Sequence, residues 1–302
     1  MIYDMTSRKK RIKAKFSIIN KIISIVCACA KMKQITLPSS KKIRGNLNLI
    51  IYGDVGQGKS TILRQIADHL DTEINTGFTK ATLLGTVDKT TGIFIPPLVW
   101  TSRNNAIIID ELDLGNRHDH NEQEISKNFL SLLEDPKYSR MIGYRSNNQN
   151  ERDKKDKTLY CKIENSKISV NTRFSFICTT MFDPYNFNST QKRALITRGI
   201  VLYLNFNYDD LDDIADFSNL IKIDDYEIPI DPSISKKNYL LLRAYVRKFE
   251  LKEFWYLRTI NDLARVFIIL RRHDYEIYDY ICESRKNMTP IKQYHKNKDD
   301  EY

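Results

Sequence analysis

The stretch IYGDVGQGKST, residues 51–61, sets three glycines, a lysine, a serine and a threonine directly behind the apolar run LNLI. Few strand-to-helix connections need so much bare backbone. Gly53, Asp54, Val55, Gly56, Gln57, Gly58, Lys59 and Ser60 fit the spacing G-x-x-x-x-G-K-[ST], which has physical content only between a strand and a helix. LNLIIYG and KSTILRQIADHL supply that context. Glycines in such a loop let backbone N–H groups turn inward toward phosphate oxygens, where side chains would block the approach. The pattern predicts Lys59 reaching the β- and γ-phosphates and Ser60, with Thr61 beside it, at a Mg²⁺ ion. The positive N-terminal end of the helix would face the anion.

Five short β-branched or aliphatic runs cover residues 47–53, 72–78, 106–112, 173–180 and 199–206, with helical patterns between several of them. Near-continuous apolar strands alternating with helices predict an α/β fold with a parallel sheet covered on both faces. The run AIIIDELD ends in adjacent carboxylates: Asp110, suited to the Mg²⁺ water shell, and Glu111, suited to polarising an attacking water. Beyond residue 208 the strands cease and helical patterns take over. The expected organisation is therefore a basic N-terminal segment with an amphipathic helix (1–42), an α/β nucleotide-binding core (43–207), a small helical lid (208–285) and a flexible tail (286–302). The polar stretch 146–157 reads as a loop, and its flanks SRMIGYR and KTLYCKI as a hairpin around it.

The formal charge is +10 and the pI about 9.2, with six basic groups against Asp4 in the first fifteen residues. Such an excess suits a nucleic acid or another acidic surface, although charge runs are commonly just solvated. Five cysteines without a C-x-x-C pair indicate a reducing compartment, and a cytoplasmic location is expected. The apolar stretch FSIINKIISIVCACA is interrupted by Asn20 and Lys21 and is too short to span a bilayer. Residues 16–33 accordingly read as an amphipathic helix packed on the domain, with no membrane partner. His118 and His120 are closely spaced with Asp119 but lack a third fixed ligand, so they read as a polar loop rather than a metal site.

The 53–60 loop, the pair Asp110–Glu111 and the segment TKATLLGTVDKTTGIFIPPLVWTSRNNAIIIDELDLGN together resemble an AAA+ ATPase, a P-loop NTPase, of the dynein-related or MoxR-type branch. The resemblance spans about residues 45–275. It implies an AAA+ core with a helical lid, ATP and Mg²⁺ as cofactors, and a homo-oligomeric ring, usually a hexamer, with nucleotide between subunits. TTGIFIPP would correspond to an inserted hairpin that touches substrate. KRALITRG resembles the segment before the fifth strand, making Arg198 the arginine-finger candidate for a neighbour's γ-phosphate, with Arg193 as backup. Arg258 falls where the lid offers a sensor arginine, with Arg243 and Arg247 as competitors. The fourth strand departs from the pattern: FICTTMFDP lacks the water-orienting Asn, and Thr180 is the substitute with shorter reach.

The resemblance implies an ATPase that remodels or translocates a macromolecule, a nucleic acid or a protein, together with a separately encoded partner. The basic balance favours nucleic acid. Alternatives are a MoxR-type protein-remodelling chaperone, a GTP-cleaving restriction motor subunit, and a nucleotide switch or scaffold without useful turnover. The phosphate loop does not select the base.

Overall fold

The computed structural model describes residues 2–76, 86–87, 94–95, 106–112, 133, 137–141, 161–164, 167–171, 174–181, 195–206 and 218–287. The chain opens with helix α1 (Ile2–Lys31), followed by strands β1 (Gln34–Thr36), β2 (Lys42–Arg44) and β3 (Leu49–Tyr52). Next come α2 (Lys59–Leu70), β4 (Ile74–Asn75), β5 (Thr86–Val87), β6 (Phe94–Ile95) and β7 (Ala106–Ile109). Strands β8 (Lys137–Met141), β9 (Cys161–Glu164), β10 (Lys167–Asn171), β11 (Ser175–Thr180) and β12 (Ile200–Tyr203) complete the β structure. Three helices close the described chain: α3 (Lys236–Arg247), α4 (Glu253–Leu270) and α5 (Tyr275–Asn287).

The five runs singled out in the sequence become one five-stranded sheet, ordered β12-β3-β11-β7-β4, in which every pairing is parallel. All four residues of β7 and all six of β11 are buried, which is why these strands read as continuous apolar runs rather than alternating ones. The fold is α/β. From β3 the chain crosses to the far edge at β4, returns through β7 and β11, and then passes β3 to reach β12. In open α/β sheets, ligands sit outside the carboxyl ends of the strands where the order reverses, and here that place is the end of β3.

Helix α1 differs from the expectation for residues 16–33. It begins at Ile2, and residues 22–30 are buried without interruption, so this half is not amphipathic. The cause is contact on opposite sides: α1 meets α2 and β11 on one side and α4 and α5 on the other. A helix enclosed in this way is apolar all round. Two of its polar side chains bond within the fold: the Ser24 hydroxyl donates to Asn20 O at 2.7 Å and accepts from Asp224 N at 2.9 Å, while Asn20 Nδ2 donates to Leu220 O at 2.9 Å and Asn20 Oδ1 has no partner among the described residues. Ile23, Ile62, Ile177, Ile260 and Tyr278 belong to one continuous core that joins α1, the sheet and the C-terminal helices.

The expected hairpin around 146–157 pairs differently. β8 and β9 each run antiparallel to β10, which lies between them, so the two predicted flanks do not pair with each other. Only residues 165–166 separate β9 from β10, and so short a connection makes their pairing cheap in loop-closure entropy. The 146–157 loop itself lies outside the described residues. Strands β5 and β6 form a separate antiparallel ribbon between β4 and β7, and β6 falls within TTGIFIPP.

Cys27, Cys29, Cys178 and Cys282 are free and buried, and burial pushes the Cys27, Cys29 and Cys282 thiols up to about 12. They pack as small apolar groups. No helix among the described residues is long and apolar enough to cross a membrane.

Truncating Ile23, fully buried at the centre of α1, should cost about 2–5 kcal/mol as Ile23→Ala. Leu240→Ala, at an exposed position on α3, should cost less than about 0.5 kcal/mol in the same chemical denaturation series.

Candidate functional site

The phosphate-loop residues lie at the carboxyl end of β3. Gly56 and Gly58 have φ of +82° and +77°, a left-handed conformation that side-chain-bearing residues rarely adopt. Gly58 caps α2 without any side-chain hydrogen bond, and the first turn of α2 carries no acidic residue. The first N–H groups of the helix are therefore met by no side-chain cap, and no carboxylate of its own first turn neutralises the positive end. Ser60 and Thr61 are half-buried in that turn, whereas Asp54 and Val55 are exposed at the loop tip.

Lys59 is buried and folds back over its own loop, donating to Gly53 O at 2.5 Å and Asp54 O at 2.7 Å. Burial holds its ammonium below the ordinary lysine value, while Asp54, Glu111 and Asp110 pull in the other direction. The charges felt by Lys59 thus include both carboxylates at the end of β7. The structure brings the loop and the acidic pair to one edge of the sheet.

The acidic pair is positioned by β11. Parallel register sets Ile109 beside Cys178, so Asp110 falls beside Thr179. The Thr179 hydroxyl donates to Asp110 Oδ1 at 2.5 Å and accepts from the backbone N–H of Glu111 at 2.7 Å, while Leu112 N donates to Thr179 O at 2.8 Å. Glu111 sits at φ +56°, a left-handed conformation costly for a residue with a side chain. That turn leaves Glu111 exposed and Asp110 half-buried. Asp110 N also donates to Asn75 O at 2.9 Å, which ties β4 to the same point.

Thr180, the expected sensor substitute, is fully buried, and its hydroxyl donates to Leu112 O at 3.2 Å. The polar link between the Asp110 carboxylate and the Glu111 backbone N–H is its neighbour Thr179. Gln57 also has a role not legible in its spacing: its side-chain amide donates to Phe206 O at 2.9 Å and accepts from Phe206 N at 2.7 Å. This two-point clamp fastens the phosphate loop to the segment after β12. Phe206 in turn stacks on Phe16 of α1, with ring centroids 5.3 Å apart.

Arg198 and Arg258 gather at the opposite edge. Arg198 lies just before β12; its backbone carbonyl accepts from Asn48 Nδ2 at 2.8 Å, at the amino end of β3. Arg258 of α4 donates to Thr197 Oγ1 at 2.5 Å. At roughly 3.3 Å per residue, the five residues from Asn48 to Gly53 separate the two edges by about 16 Å. Within one chain, neither arginine is brought to the phosphate loop. Arg247 bonds the Tyr256 hydroxyl at 3.1 Å, and it shares α3 with Arg243. His118, His120, Arg193 and the LLG segment lie outside the described residues. Among the described residues, no group of three or more His, Cys, Asp and Glu side chains is placed to hold a metal ion.

No protein-family model matches this chain, and no curated protein matches its sequence.

Replacing Thr179 by the isosteric Val removes the hydroxyl shared by the Asp110 carboxylate and the Glu111 N–H and leaves two partly buried partners unmet. Thr179→Val should lower unfolding free energy by about 1–3 kcal/mol in urea denaturation.

Proposed function

We propose that the chain binds ATP with Mg²⁺ at the 53–60 loop and hydrolyses it as an AAA+ P-loop ATPase, using the cycle to remodel or move a macromolecule. The observation that carries this reading is that the 53–60 loop, after β3, and Asp110 and Glu111, after β7, lie at the same carboxyl edge of strands paired in parallel through β11. A cationic loop with positive-φ glycines and a helix end without a side-chain cap suits phosphate oxygens, and a carboxylate opposite it suits the accompanying cation.

Ser60 and Asp110 would hold Mg²⁺, which supplies charge neutralisation at the phosphates. Lys59 would leave its two carbonyl partners for the β- and γ-phosphates. Glu111, exposed and fixed at its backbone by Thr179, would accept a proton from the attacking water. Thr179 ties the Asp110 carboxylate to the Glu111 backbone, which would let Asp110 serve the ion and Glu111 the water. Arg198 lies at the opposite edge, so its guanidinium could serve only the phosphate of another copy. That geometry favours a homo-oligomer, for which the ring of the resembled family is the proposed form. The net charge of +10 supports nucleic acid as the macromolecule.

One observation favours a second reading. Thr180 is buried and engaged with Leu112 O at the place where a water-orienting side chain is expected. A chain that binds nucleotide but turns it over poorly would act as a switch.

Hydrolysis of ATP and of GTP, measured against protein concentration, separates the two readings. For the ATPase, specific activity should rise with concentration, and Glu111→Gln should lower it by about a hundredfold or more while nucleotide binding is retained. Activity that stays flat near zero while nucleotide still binds would favour the switch.

A further inference from the structure

The amino edge of the sheet, away from the phosphate loop, holds a cavity of about 480 Å³. Lys33 and the β1–β2 hairpin form one wall, α4 forms the second, and the starts of β3 and β12 form the floor. Among the described residues, seven basic side chains line it against a single carboxylate, Asp262. That carboxylate is already matched inside the protein, because Asp262 pairs with Arg265 at 2.6 Å and with the buried Arg285. Arg44 and Arg265 have internal roles: Arg44 donates to Leu133 O and Phe174 O, and Arg265 Nε donates to Arg44 O. Lys33, Lys41 and Lys42 stand exposed at the mouth. A concave surface with this charge concentrates anions.

A second, independent observation concerns acceptors. Asn46 is only 7% exposed; its Nδ2 donates to Ala30 O at 3.2 Å, but its Oδ1 has no hydrogen-bond partner among the described residues. Asn261 Oδ1 on α4 is also buried and without a partner among them. Buried polar atoms are nearly always paired, so these two orphaned acceptors, closed off from solvent as the side chains stand, call for N–H or O–H donors, which a ligand supplies once the two amides rotate toward the cavity their residues line. A bare inorganic anion answers the lysines but brings few donors. Ile43, Leu47 and Leu133 add apolar surface, and the volume falls in the range of small-molecule sites, roughly 300–1,000 Å³.

We propose that this cavity binds a nucleoside phosphate, as a free nucleotide or as one unit of a nucleic-acid strand. Base N–H groups or ribose hydroxyls donate to Asn46 and Asn261, the base lies on the apolar patch, and Lys41, Lys42 and Arg258 hold the phosphate. The site shares no residue with the 53–60 loop or the acidic pair, although Arg198, proposed above for the phosphate of another copy, also lines it.

The test uses full-length protein carrying Lys59→Ala, which removes the loop lysine and isolates the amino-edge site. Fluorescence anisotropy is read with two probes, a labelled mixed-sequence single-stranded oligonucleotide and a fluorescent guanosine monophosphate. At least one should bind, and Lys41→Glu with Lys42→Glu, at exposed positions, should weaken it about tenfold or more. Asn261→Ala should weaken it several-fold, with thermal melting of each variant confirming an intact fold. Strand binding that falls steeply with salt and resists competition by mononucleotide assigns the nucleic-acid source. Binding of the mononucleotide alone assigns the free nucleotide. The proposal is overturned if neither probe binds, if charge reversal leaves binding unchanged, or if inorganic phosphate displaces the probe as well as guanosine monophosphate does.

Discussion

The parallel register among β3, β11 and β7 is the constraint on which the candidate site rests. Thr179 lies beside Ile51 on one side and, by the next step of the β7 pairing, beside Asp110 on the other. Side chains alternate along a strand, so a one-residue slip would turn the Thr179 hydroxyl away from the carboxylate and bring Cys178 or Thr180 opposite it. The register thus places one hydroxyl between the Asp110 carboxylate and the Glu111 backbone N–H. A pairing of strands becomes an arrangement of charge.

Helix α1 extends that constraint to the rest of the chain. Residues 22–30 are enclosed between the sheet side and the C-terminal helices, so any rigid shift of α4 and α5 against the sheet must carry or strain α1. Midway along its length the same helix contacts the segment after β12: Phe16 stacks on Phe206, and Lys15 donates to Asn205 O at 2.8 Å. Phe206 is held in turn by Gln57 of the phosphate loop. A continuous line of packing and hydrogen bonds thus runs from the loop through Phe206 into α1. This is a physical route by which loop rearrangement could reach the C-terminal helices, and the proposed ATPase cycle needs such a route.

The sheet was legible because its strands are short, β-branched and apolar on both faces, and the loop because its spacing occurs between a strand and a helix. Asp110 and Glu111 were legible as the end of an apolar run. What could not be read was set by register and by through-space contact. Thr179 and Thr180 are adjacent and chemically identical, and only the pairing of β11 with β7 decides which one touches Asp110. Gln57 occupies a variable position of the loop spacing, and its clamp on Phe206 joins residues 149 apart in sequence. The burial of α1 escaped because periodicity reports one apolar face, while this helix is covered on opposite sides. The gathering of Arg198, Arg258 and the β1–β2 lysines at the amino edge likewise depends on how α4 meets the sheet.

Calorimetric titration of Mg²⁺ and ATP into the intact protein and into Lys59→Ala tests the account most directly. The arrangement of Lys59, Asp110 and Glu111 predicts saturable binding at one site per chain, dependent on Mg²⁺, and weakened about tenfold or more by Lys59→Ala. Equal affinity in the two proteins, or binding indifferent to Mg²⁺, would contradict the assignment of the carboxyl edge as the triphosphate site.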